Sequence, residues 1–536
     1  MAGMRTTPIL MGIALAVPRL VYGQDGAAPT RPVIDTIIIE RHNVFLAEQA
    51  EDNFAAKAGN AIHPRTNRWV IKSTILFKAG DTLDMSRVQE SARTLRALNV
   101  FQEVTIDTAT RDGQLAVLIR TRDAWSLSPK FSIAGSGGDV TVTLGISENN
   151  LLGTASRFSI AYVKLVDRDG LDLAFRVPRA GSTRLAAGGS FQNLSEGNTG
   201  SWDVGIPYRA FPDPWAAQVF GDVADERRFQ FRRDSGVLDS TTFAHDLISN
   251  RLTTSIAAQH STQRYLRLGA DLLVRSEEYV LETNTLPVTD SITATLGLTL
   301  DYRQAHFTTG RYFQGFGQNE DIDLSPALQV TVWLAPEVLG YASTGIGPEV
   351  NVSAGKQVGS TVLVGSLHAN GLFSGDGLDS GRVILKGTWA GKPSKKQMMF
   401  LHVEAGIMDN PPPGQEFDLG LTFGPRTFGA HGFIGTRTLW GTLEWRDYRW
   451  DSVMGFLGIG YAGWVDYGGA WYQDQDPIWG GNVGVGLRLG SSIGSRASAA
   501  RIDVGYRFGP GFEGKRLGVS FGGSYDIFSG ALTSLN

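Results

Sequence analysis

From Leu439 to Trp445 the chain alternates without a break. Leu439, Gly441, Leu443 and Trp445 share one side, while Trp440, Thr442, Glu444 and Arg446 share the other. A period of two means a β-strand whose two sides meet different surroundings. Here one side is apolar or small, and the other carries a carboxylate and a guanidinium. Phe456 to Tyr467 repeats the arrangement: Leu457, Ile459, Tyr461, Val465 and Tyr467 alternate with Gly458, Gly460, Ala462, Trp464 and Asp466. With the apolar faces turned the same way, Glu444 and Asp466 both point to the opposite side. The Gly-rich segment just upstream, GPRTFGAHGFIG from Gly424, holds Arg426, which meets both carboxylates if the segment folds back. A barrel that is apolar outside and polar inside, with a loop tucked into its lumen, accommodates all of this.

Composition points the same way. The 536 residues suffice for two or three ordinary domains, or for one large barrel with an appended domain. Gly is frequent at 66 residues and aromatics reach 10%, but charged residues only 19%, which suits a β-barrel better than a helical enzyme. A formal net charge of −4 argues against a nucleic-acid partner, whose binding domain would be basic. No Cys is present, so disulfides, thiolate metal sites and Cys nucleophiles are excluded. At the N-terminus Arg5, the apolar run Ile9 to Val17 and Val21-Tyr22-Gly23 have the layout of a secretory signal peptide over residues 1–23. Beyond it no stretch of about 18 consecutive apolar residues occurs, so no transmembrane helix is expected. A spanning chain without such helices must close into a barrel, because hydrocarbon offers backbone polar groups no other partner.

Residues 24–32 read as a polar linker. Val33 to Glu40 is predicted as a strand and Leu46 to Ala58 as a short helix. Thr66 is the expected N-cap of a helix running to Phe77, which Ala79-Gly80-Asp81 stops. Ser86 and Gln89 form a capping-box pair for a third helix, burying Val88, Ala92, Leu95 and Leu98. Two strands follow, Phe101 to Thr108 and Leu115 to Thr121, joined at Arg111-Asp112-Gly113. Residues 30–122 are therefore expected to form a small α+β domain.

VIKSTILFKAGDTLDMSRVQESARTLRALNVFQEVTI resembles a POTRA domain, the periplasmic module of the BamA/TamA superfamily (the bacterial surface antigen family). The matching features are the Ala79-Gly80-Asp81 turn, SARTLRAL from Ser91 to Leu98, and Val100-Phe101 leading into a strand. TRDAWSL (Thr121 to Leu127) and ENNLLGTA (Glu148 to Ala155) resemble the start of that superfamily's barrel. The implied fold is mainly β: a transmembrane antiparallel β-barrel over 123–536, preceded by one POTRA-like domain.

From Trp125 onward the chain is Gly-rich and short-period. Alternation is clear in Val140 to Ile146, Val483 to Leu489, Ile502 to Phe508 and Leu517 to Ile527. At roughly 20–26 residues per strand and loop, this length predicts about 16 strands, an even number as closure requires. Residues 205–330, highly charged and poorly alternating, are expected to hold long extracellular loops.

In the superfamily an Arg-Gly-aromatic tip lies on the loop that enters the barrel, its Arg held by acidic residues of the inner wall. The resemblance places Arg426-Thr427-Phe428 at that tip and Glu444 and Asp466 on the wall. Thr427 replaces the Gly of the motif and cannot take φ > 0 cheaply, so a different backbone is expected there. The implied role is architectural, with no catalytic residues, metal or cofactor. Gly518-Val519-Ser520-Phe521-Gly522 and Gly490-Ser491-Ser492-Ile493-Gly494 match the nucleophile-elbow spacing but lack a strand-to-helix turn. Gly458 to Gly463 matches a dinucleotide fingerprint with no helix to follow. The eight His show no metal-ligand spacing, and Trp464, Trp471, Tyr472 and Trp479 suit girdle or lumen positions.

The expected location is the outer membrane of a Gram-negative-type bacterium, with the N-terminal domain in the periplasm. The expected function is assembly, insertion or translocation of client proteins, the N-terminal domain capturing extended chains. Expected partners are an unfolded outer-membrane or secreted client, outer-membrane lipids and periplasmic accessory proteins. A passive pore or structural barrel is the other class the residues allow. The single POTRA-like module suggests a specialised client or an accessory role, and the ending ALTSLN departs from the usual terminal aromatic of such barrels. The superfamily's first and last strands pair weakly, which here means Leu127 to Ile133 and Arg516 to Phe528.

Overall fold

The computed structural model describes residues 32–524 apart from 47, 49–50, 52–53, 112–113, 235–236, 283–291, 318, 376, 422, 492–498 and 510–514. The expected signal peptide, most of the linker and the ALTSLN ending lie outside the described residues.

The N-terminal domain consists of β1 (Thr36–His42), α1 (Phe54–Ile62), α2 (Arg68–Thr74), α3 (Met85–Ala97), β2 (Phe101–Arg111) and β3 (Gln114–Asp123). Its sheet has the order β1-β3-β2, with β1 parallel and β2 antiparallel to the central β3. Ile39, Val70, Ile71, Val88, Leu95, Val104, Val117 and Ile119 form the core between sheet and helices, with Ala92 and Leu98 at its margin. Two capping expectations need correction. The N-cap of α2 is Asn67, without a side-chain bond, because the Thr66 hydroxyl instead accepts from Asn150 Nδ2 at 2.9 Å. The N-cap of α3 is Asp84, whose carboxylate accepts from the Ser86 backbone N–H (2.9 Å) and hydroxyl (2.6 Å). A carboxylate at a helix N-terminus also gains from the helix dipole, which the Ser86 hydroxyl does not.

The motif from Glu148 to Ala155 joins this domain to the barrel. Asn67 N–H donates to Gly153 O at 2.7 Å, and Thr66 N–H donates to the buried Asp123 carboxylate at 2.6 Å. Burial pushes Asp123 up to about 6, against the opposing pull of Thr66, Arg41 and Arg65. A carboxyl raised in the folded state binds its proton more tightly than in the unfolded chain. Its stabilising contribution is therefore complete below the ordinary pKa of 3.8 and lost as pH rises through about 6. The loss is on the order of 3 kcal/mol. Asp123→Asn keeps an acceptor for Thr66 and removes the ionisation. Thermal unfolding of the N-terminal domain in the full chain, followed between pH 4.5 and 7.5, is expected in this variant to lose its fall with rising pH, leaving the opposite, rising slope of His63, 4.0 Å from Asp123, whose pKa burial lowers. A slope equal to that of wild type would refute the assignment.

Beyond Asp123 twenty antiparallel strands, from β4 (Leu127–Ser136) and β5 (Asp139–Leu151) to Leu517–Gly523, close into one barrel. The count of about 16 is thus corrected to twenty. The reason lies in 205–330, where the longest strands stand in place of the expected loops: Trp215–Asp234, Val237–His260 and Arg264–Leu281. These extend past the depth of a bilayer. Outside hydrocarbon, the outward face no longer needs apolar side chains, so the alternation fades while the strand continues.

The outward face elsewhere is an unbroken apolar belt. Leu439, Leu443 and Trp445 are about as exposed as Ile248, Leu252, Val483 and Val504. A monomer in water does not expose apolar surface on this scale, whereas a bilayer covers it. Tyr467, Trp471 and Trp479 stack at the end of the belt away from the N-terminal domain. One seam of the barrel differs from its neighbours. Seven rungs join the last strand to Ala499–Phe508 and ten join β4 to β5. Between the last strand and β4 the only rung among the described residues is Phe521 with Gly135.

Candidate functional site: a lumen closed from both ends

Strand Arg437–Val453 turns its even-numbered residues inward: Trp440, Thr442, Glu444, Arg446 and Tyr448 are all buried. Strand Leu457–Trp471 does the same with Trp464 and Asp466. The segment between Asp409 and Arg437 dips into the barrel and brings Arg426 to them. Arg426 is 1% exposed. Its Nε and Nη2 donate to the two Asp466 oxygens at 2.9 and 3.0 Å, and Nη1 donates to Glu444 Oε2 at 2.7 Å. Nη2 also reaches Thr442 Oγ1 at 2.9 Å, and the guanidinium carbon lies 4.4 Å from the centre of the Trp464 ring. Burying ions is costly unless each is paired and hydrogen-bonded. This cluster meets that condition by extension: Arg446 and Arg488 hold Glu444 Oε1 at 2.6 and 2.8 Å. Asp503, on a fourth strand, accepts from Arg488 at 2.7 Å and Arg501 at 2.9 Å and lies 3.5 Å from Arg426.

Sequence reasoning named Arg426, Glu444 and Asp466 and omitted Asp503, Arg488 and Arg501. The alternation of Ile502 to Phe508 assigns Asp503 an inward face, but parity gives no azimuth around a barrel. Thr427 keeps an ordinary negative φ, and the left-handed positions fall on Gly424 and His431 instead. Its buried hydroxyl lies 2.8 Å from the Asn482 amide, and the amide orientation that satisfies all its neighbours has its oxygen accept from the Thr427 hydroxyl and N–H and its nitrogen donate to Asp466. Phe428 packs on Phe433 with ring centres 5.0 Å apart.

The loop continues across the seam. The Thr427 side chain packs beside Gly505 and Gly518, the latter on the last strand. Ala430 N–H donates to Asp139 Oδ2 at 2.9 Å, at the start of β5. Gly137, with φ of +66°, lies against the Gly429 backbone so closely that a Cβ would collide. One loop thus grips strands on both sides of the single-rung seam from within.

A second insert fills the other half of the lumen, and sequence reasoning missed it. Residues 305–326 include the paired strands Phe307–Gly310 and Glu320–Asp323. Phe313, Phe316, Ile322 and Leu324 bury themselves against Val362, Ala390, Met398, Phe400 and Tyr448 of the inner wall. Tyr448 donates to Phe313 O at 3.0 Å, and Gly458 leaves the space that the Phe316 ring occupies. Its signal in the sequence is the aromatic run Tyr312-Phe313 and Phe316 among glycines. Both inserts are anchored on Arg437–Val453. Glu444 serves one and Tyr448 the other, with Arg446 between them over Phe400 at 4.8 Å. The N-terminal domain reaches the second insert through Arg96 and Asp321, 2.8 Å apart.

Two of the remaining motifs lack the strand-to-helix turn that their chemistry needs. Gly518 to Gly522 lies inside the last strand and Gly458 to Gly463 inside Leu457–Trp471. Part of Gly490 to Gly494 lies outside the described residues. Trp464 fills the lumen beneath Arg426, and Tyr472 donates to Phe231 O at 2.6 Å.

A closed barrel with an apolar outer belt and a charged, filled lumen defines an outer-membrane β-barrel protein of a Gram-negative-type bacterium. In sequence the chain is similar to the BamA/TamA type. Over 137 residues it is 31% identical to outer membrane protein assembly factor BamA of Neorickettsia risticii (strain Illinois), which is 25% of this chain and 18% of that protein. The chain therefore spans less than a fifth of the curated relative it matches. No family model matches. Among solved structures, CdiB from Escherichia coli covers 92% of this chain and 76% of its own (TM-score 0.47, 11% identity). BamA from Haemophilus ducreyi lacking POTRA domains 1–3 covers 93% and 85% (TM-score 0.40, 12% identity). The FrpB iron transporter from Neisseria meningitidis covers 91% of both chains (TM-score 0.40, 9% identity).

Proposed function

We propose that this protein assembles, inserts or translocates client proteins at the outer membrane, its N-terminal domain (residues 30–122) capturing extended chains. The single-rung seam carries the reading, since it is where a client strand can add without breaking a full ladder. The similarity to an assembly factor supports it. In the N-terminal sheet, β1 is partly covered, Arg68 donating to Ile39 O at 3.2 Å. That leaves β2 as the edge for an added strand, which would gain main-chain hydrogen bonds. Arg426, Phe428, Glu444 and Asp466 act as positioning residues that hold the lumen loop across the seam, and no bond chemistry is assigned to them. A filled lumen speaks against passive diffusion.

The test is reconstitution of the purified protein alone in liposomes, with an unfolded outer-membrane protein added and its folding followed over time. Wild type should accelerate folding, and both Arg426→Ala and a chain lacking residues 30–122 should do so less. Ion conductance without acceleration would favour a pore.

A sharper version exploits the absence of cysteine. Gly135→Cys with Phe521→Cys places two thiols on the one rung, where facing Cα atoms of a ladder are within disulfide range. Oxidation is expected to abolish the acceleration and a reductant to restore it. Equal activity in both states would show that the seam does not open during client handling.

A further inference from the structure

At the periplasmic rim, the turn after strand Asp169–Val177 and the loop before Trp215–Asp234 bring together Arg179, Arg184 and Arg209 around one carboxylate, Asp213. Asp213 is already engaged: Oδ2 accepts from Arg209 N–H at 2.8 Å and Ala210 N–H at 3.3 Å, and lies 3.5 Å from Arg184 Nη2. Three guanidinium groups against one carboxylate leave two positive charges uncompensated. Arg184 Nε and Arg209 Nε and Nη1 are buried without a hydrogen-bond partner. Such donors are costly to leave unmet. Burial, then the like charges of Arg209 and Arg184, pull Arg179 down to about 10, a sign of crowding that Asp213 only partly relieves. The charges that border the cluster have partners of their own: Arg267, which donates to Ala210 O at 3.4 Å, lies 3.8 Å from Asp301, and Glu90, which accepts from Phe211 N–H at 3.2 Å, pairs with Arg93 at 2.7 Å.

The depth of this cluster is set by Trp215. Its ring is 42% exposed on the outward face, paired with the exposed Ile256, and the Arg184 guanidinium lies 5.3 Å over it while donating to Trp215 O at 3.0 Å. Leu185 and Val204 continue the apolar surface beside it. A tryptophan at the end of an apolar belt sits at headgroup level, where phosphate groups lie. Guanidinium forks suit phosphate oxygens in geometry and charge.

We propose that Arg179, Arg184 and Arg209 form a phosphate-binding site for a phospholipid headgroup of the periplasmic leaflet, with Trp215 packing along its acyl chain. Asp213 orients the arginines and tunes the site toward one anion.

The test is native mass spectrometry of the full chain in detergent, titrated with phosphatidylglycerol, alongside Arg179→Gln/Arg184→Gln/Arg209→Gln. A heat-modifiable gel shift reports that each barrel is folded. Each arginine near the surface should contribute roughly fivefold, so the triple variant should bind the lipid about 100-fold more weakly. Arg209→Gln alone, which leaves the rim least disturbed, should show the smaller fall. Arg227→Gln at the opposite rim should show none. Inorganic phosphate at millimolar concentration should compete weakly. Equal lipid binding by wild type and both rim variants would overturn the proposal. So would saturable binding of inorganic phosphate, or of an acidic peptide, in preference to the lipid.

Discussion

Arg426→Ala is expected to release the lumen loop and destabilise the barrel by about 3–5 kcal/mol, the usual cost of leaving buried charges without their partner. Glu444 keeps Arg446 and Arg488, and Asp503 keeps Arg488 and Arg501, but the two oxygens of Asp466 lose both guanidinium bonds. Urea unfolding of the reconstituted barrel should shift accordingly, and limited proteolysis should cut within 410–436. Arg426→Lys keeps the charge but not the fork, so it should fall between the two. If Arg426→Ala unfolds like wild type and resists protease, these charges are separate solvated pairs worth about 0–1 kcal/mol each.

Phe316→Ala should have a comparable effect from the other end. Removing a fully buried ring typically costs about 3–5 kcal/mol, and Phe316 is among the largest such side chains here. The expected readout is faster hydrogen exchange over 305–326 and, in planar bilayers, a rise in conductance. Gly458→Leu should produce the same change by filling the space that Phe316 occupies. Because both inserts are anchored on one strand, Arg426→Ala with Phe316→Ala should be non-additive in unfolding free energy. Strict additivity would mean that the inserts are independent plugs.

The inward face of Arg437–Val453 could be read from the chain because a two-sided wall imposes a period of two, and Glu444 and Asp466 followed from parity alone. The loop tip needed the family resemblance, since nothing local says that Arg426 leaves the surface. Asp503, Arg488 and Arg501 stayed hidden because their partners sit on other strands, at an angle around the barrel that no single-strand pattern encodes. The long strands around Val237–His260 were misread as loops because apolar alternation records lipid, not hydrogen bonding. The insert 305–326 was lost in the same region. Its aromatics pack against wall residues as far away in the chain as Tyr448, 135 positions from Phe313. The capping errors at Thr66 and Ser86 are local competitions between acceptors, which Asn150 and Asp84 decide through their place in the fold.

Strand length also varies around the circumference. Val237–His260 has 24 residues, whereas Ser156–Lys164 and Asp169–Val177, close to the seam, have 9 each. At about 3.4 Å per residue and a tilt near 45°, these correspond to heights of about 58 and 22 Å. The taller wall stands well clear of the lipid, while the shorter one falls below the thickness of an average hydrocarbon core. Lipids beside the short wall must compress to match it, at a cost of fractions of a kcal/mol per Å. The same nine-residue length recurs across the barrel at Ala327–Ala335, so the rim of the bilayer is expected to rise and fall around the circumference, lowest beside the short strands and highest beside Val237–His260.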